Sequence, residues 1–245
     1  MHAVRRGGRL HSVEPLGIRY IRPIRPVDFP ASDPEWDMVE SDRHQQMCEV
    51  IRDVLRRAAT SASTVGSDHF IYFDASNSQR KCAPDAFVVL GVPQESITSW
   101  KTWEKGAPHL CVEILSPSDT QEKLPLQEKL ARFHTMGVDE VIAFDTDAEP
   151  GKRLRAWDLH SGDLVERVVE GDITPCRALG LWFVSAPYEL LGLPYALRLA
   201  ETAAGTPLVP TPLEAERAEK ERAIAERDSL VAENARLRAE LANRR

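Results

Sequence analysis

CVEILSPSDTQEKLPLQEKLARFHTMGVDEVIAFD, spanning Cys111–Asp145, reads as a strand, a helix and a second strand. Leu110–Leu115 is apolar at every position but Glu113, the pattern of a strand buried on both faces. SPSD closes that strand, and Ser118 or Asp119 is placed to open a helix over about 120–136. Leu126, Leu130 and Phe133 recur at spacings of four and three, and Gly137 ends the helix. EVIAFDTD (Glu140–Asp147) is the second strand. A strand–helix–strand unit of this kind is parallel and right-handed, which makes the chain an α/β protein.

Working outward, CAPDAFVVLGVP (Cys82–Pro93) is another apolar strand, opened by Asp85. HFIYFDA (His69–Ala75) is extended and, across a polar Asn/Ser turn, predicts an antiparallel partner for it. Met47, Val50, Ile51, Val54, Leu55 and Ala58 predict an amphipathic helix over 42–59, with Ser41 as N-cap. Downstream, Arg153–Leu159 and Asp163–Val169 form a hairpin over the His160–Gly162 turn. The expected fold is a mixed β-sheet flanked by helices. Residues 1–40, rich in proline, read as an irregular arm, and residues 41–212 as one domain.

From Leu213 to Arg245 the chain turns to Glu, Arg and Ala without Gly or Pro. Leu230, Asn234, Leu237 and Leu241 follow the four-three alternation of a coiled-coil seam, and Asn234 at an a position favours a parallel homodimer. Glu216, Lys220 and Arg227 interrupt the same frame upstream, so a solitary solvated helix fits as well. Eight acids balance eight bases in this tail, so the remainder carries the whole net charge of −7. That charge argues mildly against nucleic acid, whose binding surfaces are normally basic. No run approaches the ~18 apolar residues of a membrane helix, and the basic start lacks the apolar stretch of a secretory signal. A soluble cytoplasmic protein is the expectation. The four cysteines are scattered, and Cys48 and Cys111 read as buried, reduced, small hydrophobes.

Asp85 and Glu113 stand out because an ionised carboxylate in an apolar strand needs a cation or several donors. Converging from neighbouring strands, the two suit a hard divalent ion, Mg²⁺ or Mn²⁺, with the backbone carbonyl of Ile114 as a third oxygen ligand. The alternative is structural: Asp85 as the first residue of a strand after Pro84, and Glu113 as half of a buried ion pair. A glycosidase-type pair of carboxylates is a further reading, but a carbohydrate cleft wants exposed aromatics and these are 7% of the chain.

His44 at the start of the first helix, PDAFVVLGVP, SWKTWEKGAP, CVEILSPSD, QEKLARFHTMGVDEVIAFD and SAPYELLGL occur in an order and spacing with a counterpart. Together they resemble a bacterial restriction-endonuclease-like family, the Uma type, within the PD-(D/E)XK nuclease superfamily. The resemblance covers residues 41–212. It implies a metal-dependent endonuclease acting on DNA, with Asp85 and Glu113 as the two acids. The superfamily lysine two residues after the second acid is replaced here by Leu115, and the family's helix lysine corresponds to Lys129. The segment before it is about two residues longer than the family pattern, which leaves Lys123 as an alternative. Pro125 stands near an expected polar residue, and Phe133 where tyrosine is expected. These departures also fit an inactive nuclease-like fold that binds nucleic acid or protein and assembles through its tail. His44 reads as a core-edge histidine, Glu49 as solvated, Trp100 and Trp103 as sealing a loop onto the sheet, and His109 and His134 as surface or loop residues.

Overall fold

The computed structural model describes residues 41–116 and 124–244 in full, and the backbone of β1 (Val4–Arg6) and β2 (Arg9–His11). These two strands pair antiparallel within the arm expected to be irregular. Ser118, Asp119 and Lys123 lie outside the described residues.

Helix α1 (Asp42–Ala58) is capped by Ser41, whose hydroxyl accepts from the His44 N–H at 3.1 Å. Its residues Met47, Val50, Ile51, Val54 and Leu55 are buried at helical spacing. The central sheet has six strands in the order β11-β10-β9-β8-β6-β3. They are β3 (Ser63–Gly66), β6 (Ala86–Leu90), β8 (Leu110–Leu115), β9 (Glu140–Asp145), β10 (Leu154–His160) and β11 (Asp163–Arg167). Only β8 and β9 run parallel, joined by α3 (Leu126–Met136); every other pair is antiparallel. Among the strand residues, Ala86, Val88, Leu110, Val112, Ile114, Ile142 and Phe144 share a core with α1. Their alternates Phe87, Val89, Cys111, Leu115, Val141 and Ala143 pack with Leu130, Phe133 and Met136 of α3. Covering both faces is what allows the strands to be apolar throughout.

Two expectations are corrected. HFIYFDA pairs antiparallel across the Asn/Ser turn, but only with Lys81–Cys82 at the start of the Asp85 segment and not with the strand that follows Asp85. Its β4 (Ile71–Tyr72) lies between β5 (Lys81–Cys82) and β7 (Trp100–Lys101) in a separate small sheet, while β6 takes β3 and β8 as neighbours. Gly66 of β3 makes that pairing possible, since a Cβ there would lie 2.3 Å from the Phe87 ring. The helix expected over 120–136 starts at Leu126 instead. Pro125 sits at the N-cap with ψ 148°, and a residue before proline is biased away from helix. The β10–β11 hairpin turns at Ser161–Gly162, both at positive φ as a tight two-residue turn requires.

After α2 (Thr102–Lys105), the remaining strands β12 (Ile173–Cys176), β13 (Leu181–Tyr188) and β14 (Leu193–Ala200) form an antiparallel sheet whose apolar side joins the α1 core. Helix α4 (Pro212–Asn243) opens with a reciprocal capping box between Thr211 and Glu214. Glu214 also receives the guanidinium of Arg198, itself 1% exposed, so the first turn of α4 is tied to the domain. Beyond that turn the helix is solvated, with Leu230, Leu237 and Leu241 at 53, 44 and 64% exposure. No helix among the described residues is long and apolar enough to cross a membrane.

Candidate active site

The β6–β8 ladder stops at Ala86↔Val112. Continued by one step, its register sets Asp85 opposite Glu113, and by a second step Pro84 opposite Ile114. Pro84 has no N–H to give, and its carbonyl is turned to the Asp68 N–H at 3.2 Å. The Ile114 N–H therefore finds the carboxylate of Asp85 instead, donating to Oδ2 at 2.5 Å. On the neighbouring edge the Leu115 carbonyl accepts from Thr146 of the loop after β9. Backbone groups alternate along a strand, so the Ile114 carbonyl is turned to the Asp85 edge. Asp85 thus meets Ile114, the residue next to Glu113, where the ladder between two central strands ends.

Glu113 is 1% exposed and receives Lys129 Nζ at 2.6 Å from the helix that covers this face of the sheet. The ion pair expected for Glu113 is thus made with Lys129, the lysine that the resemblance singles out. Three residues on along α3, Arg132 donates to the Lys81 carbonyl at 2.6 Å and to Glu128 at 3.1 Å. Cys82 and Cys111 sit close behind. Burial pushes the Cys82 thiol far above its ordinary range and the charge of Glu113 adds to this, against Arg132 and Lys129. Cys111 is raised by burial, then by Cys82 and Glu113. Both are protonated, inert packing at neutral pH.

On the other side of Asp85 stands His44, buried at the start of α1. Its Nε2 is 3.6 Å from Asp85 Oδ1, and its Nδ1 lies 3.3 Å from Ser116 Oγ, which reaches Thr146 Oγ1 at 3.1 Å. The Thr146 carbonyl accepts from the Tyr195 hydroxyl at 2.7 Å. Arg43 donates to that hydroxyl, and the Arg153 guanidinium stacks 3.8 Å over the Tyr195 ring. Sequence reasoning missed Ser116, Thr146, Tyr195 and these arginines, which come together only through the packing of α1 and β14 on the strand ends. It also missed Cys48, one turn along α1 from His44 and close to Asp85.

The other candidates fall elsewhere. Trp100 is wholly buried, donates from Nε1 to the Gly106 carbonyl at 2.8 Å and meets Phe87 edge-on, so it does seal its loop. Trp103 is 40% exposed. His109 Nδ1 accepts from the Leu90 N–H, His134 faces the Gly162 carbonyl, and Glu49 is exposed.

A mixed sheet with a buried acid just past the end of one central strand, a second acid within its neighbour, and a lysine from the covering helix on the second acid makes up the candidate site. Residues 37–185 match the family described as "Uma2: Putative restriction endonuclease", and the chain belongs to that family. A crystal structure described as a "putative nuclease belonging to DUF820", from Anabaena variabilis, is similar with a TM-score of 0.41 and 13% identity. The match covers 72% of this chain and 86% of that one. No curated protein matches.

Proposed function

We propose that the protein is a metal-dependent endonuclease hydrolysing phosphodiester bonds of DNA, with its site at Asp85, Glu113 and Lys129. The observation that carries this reading is a pair of buried acids on two neighbouring strands, at and just past the end of their ladder, with Lys129 Nζ 2.6 Å from one of them. The donor set fits a hard cation: two carboxylates and the Ile114 carbonyl are oxygen ligands suited to Mg²⁺ or Mn²⁺. Such an ion supplies Lewis-acid polarisation of the phosphoryl oxygen and activation of water. Lys129 neutralises Glu113 in the metal-free protein and stands ready to offset charge on the phosphoryl oxygens in the transition state. The Ile114 N–H fixes Asp85, and His44, beside Ser116, stands next to its other oxygen. Arg43 and Arg153 about Tyr195 give an acidic protein local cations for flanking phosphates.

The test is cleavage of supercoiled plasmid and single-stranded DNA with Mg²⁺ or Mn²⁺, comparing wild type with Asp85→Asn and Glu113→Gln. Asparagine keeps an oxygen for the Ile114 N–H, so the first variant removes charge rather than the strand contact. Metal-dependent cleavage that both folded variants lose supports the reading. Absence of cleavage with either ion, or equal cleavage by all three proteins, favours the second reading, a nuclease-like binding module. The length and exposure of α4 motivate that reading, since a parallel homodimer through Leu230, Asn234, Leu237 and Leu241 serves assembly with or without catalysis.

A further inference from the structure

We propose that His44, Cys48 and Asp85 form a second cation site, selective for a thiophilic divalent ion of the Zn²⁺ class. Each offers one ligand atom, an imidazole nitrogen, a thiolate sulfur and a carboxylate oxygen, and these atoms lie within 4.8 Å of one another. Among the described residues these three make the group of three His, Cys, Asp or Glu side chains whose ligand atoms lie this close together. All three are buried, at 4, 7 and 7% exposure. His44 and Cys48 are four apart on α1, which stacks them on one face, and Asp85 reaches them from the mouth of β6.

The geometry favours an ion over a hydrogen bond. His44 Nε2 and Asp85 Oδ1 are 3.6 Å apart, too long for a good N–H···O bond. Two ligands on one tetrahedral zinc, each bonded at about 2.0 Å, stand roughly 3.3 Å from each other. Ser116 Oγ beside Nδ1, with Thr146 behind it, is the outer partner that fixes a ligating imidazole, leaving Nε2 to face the cluster. Imidazole with thiolate selects zinc-like ions over magnesium, and three protein ligands leave the fourth position for a water or a substrate oxygen. Binding releases the thiol proton of Cys48.

One consequence rests on the function proposed above. The soft ion draws on the carboxylate that the hard ion also needs, so zinc inhibits cleavage by contending for Asp85.

The site itself is tested without activity, by titrating the metal-free full chain with Co²⁺. The expected result is a thiolate-to-cobalt charge-transfer band with tetrahedral d–d absorption, saturating at one equivalent and displaced by Zn²⁺. Cys48→Ser abolishes the charge-transfer band, His44→Gln weakens binding by more than about tenfold, and Glu113→Gln leaves the band in place. Absence of the band, or its survival in Cys48→Ser, overturns the proposal. X-ray absorption of wild type carrying one equivalent of zinc reads the same shell without any substitution: a sulfur with a nitrogen supports the site, and a shell of oxygen and nitrogen alone overturns it. Mn²⁺ binding followed by electron paramagnetic resonance reports on the Asp85–Glu113 pair separately. A protein that forms the cobalt–thiolate band yet binds no Mn²⁺ would therefore lose the catalytic reading and keep this one.

Discussion

Lys129→Met removes the cation from Glu113 while keeping the length and apolar stem of the side chain. Glu113 is 1% exposed and sits in the middle of a strand, so its carboxylate cannot swing out to water. The Lys129 side chain keeps 18% of its surface in solvent. Breaking a buried ion pair from one side costs about 3–5 kcal/mol, and the partial exposure of Lys129 sets the expectation at the low end, about 3 kcal/mol. For a chain of this size that lowers Tm by roughly 6–12 °C. Glu113→Gln should cost less, about 1 kcal/mol, because the lysine left behind can extend into solvent whereas the carboxylate cannot. The double variant should recover much of what Lys129→Met loses, since neither charge is then buried alone. Urea unfolding of the four proteins at neutral pH measures all three quantities. A loss below about 1 kcal/mol in Lys129→Met, or a double variant no more stable than it, would refute the argument that this contact holds Glu113 in the sheet.

Burial raises the Asp158 carboxyl, but hydrogen bonds and charge from Arg167 and Arg177 outweigh it and hold the group below its ordinary range. A folded pKa below the unfolded one contributes stability above the unfolded value, lost as pH falls through the folded value. Asp158→Asn should therefore flatten the acid limb of the stability curve, read from urea midpoints between neutral and acid pH. Asp172 accepts the N–H groups of Gly151, Arg153 and Leu154 at 2.5, 2.6 and 3.1 Å from a left-handed backbone with φ 54°. Asp172→Ala should cost about 2 kcal/mol by leaving the buried Leu154 N–H and two part-buried donors without their acceptor, and Asp172→Asn should cost less, since asparagine tolerates that backbone and keeps one oxygen; thermal melts compare the two. Truncation of α4 after Lys220 should leave Tm unchanged, while truncation before Glu214 strips the carboxylate from Arg198 and costs about 3 kcal/mol. Light scattering of the longer truncation tests the coiled coil, because an oligomeric state unchanged from the full chain would remove the seam from the assembly.

The central unit was legible because its periods are unambiguous. Leu110–Leu115 and Glu140–Asp145 are apolar on both faces, and Leu126, Leu130 and Phe133 can share a face only on a helix. Asp85 and Glu113 were legible as charges where none should stand. Lys129 was not legible from spacing, since a residue sixteen positions from Glu113 meets it only after the chain has crossed the sheet; the family resemblance supplied it. The antiparallel partner of HFIYFDA was legible across the Asn/Ser turn, but its end at Cys82 and the parallel neighbour at Trp100 were hidden, because two-residue strands are too short to carry a pattern. Cys48 was hidden for a different reason. A cysteine on an apolar helix face looks like a small hydrophobe until the tertiary fold sets a carboxylate beside it.

Asp85 shows why the structural and the functional readings of such a site do not exclude each other. Pro84 ends the ladder because it cannot donate and its carbonyl is engaged by Asp68. Something must then accept the Ile114 N–H in the interior, and a carboxylate does so more strongly than a neutral oxygen. That bond fixes the position of Oδ2 and leaves Oδ1 toward His44. The strand break thus creates both the gap between β6 and β8 and the fixed acid that lines it. Glu113 follows the same logic: the sheet tolerates it because Lys129 spans from α3, and that span sets a cation beside the one face of β8 where an acid stands. Substitutions that delete the whole side chain conflate the two roles, and only replacements such as Asp85→Asn and Glu113→Gln, which keep the shape and the acceptor, separate what the acids hold together from what they bind.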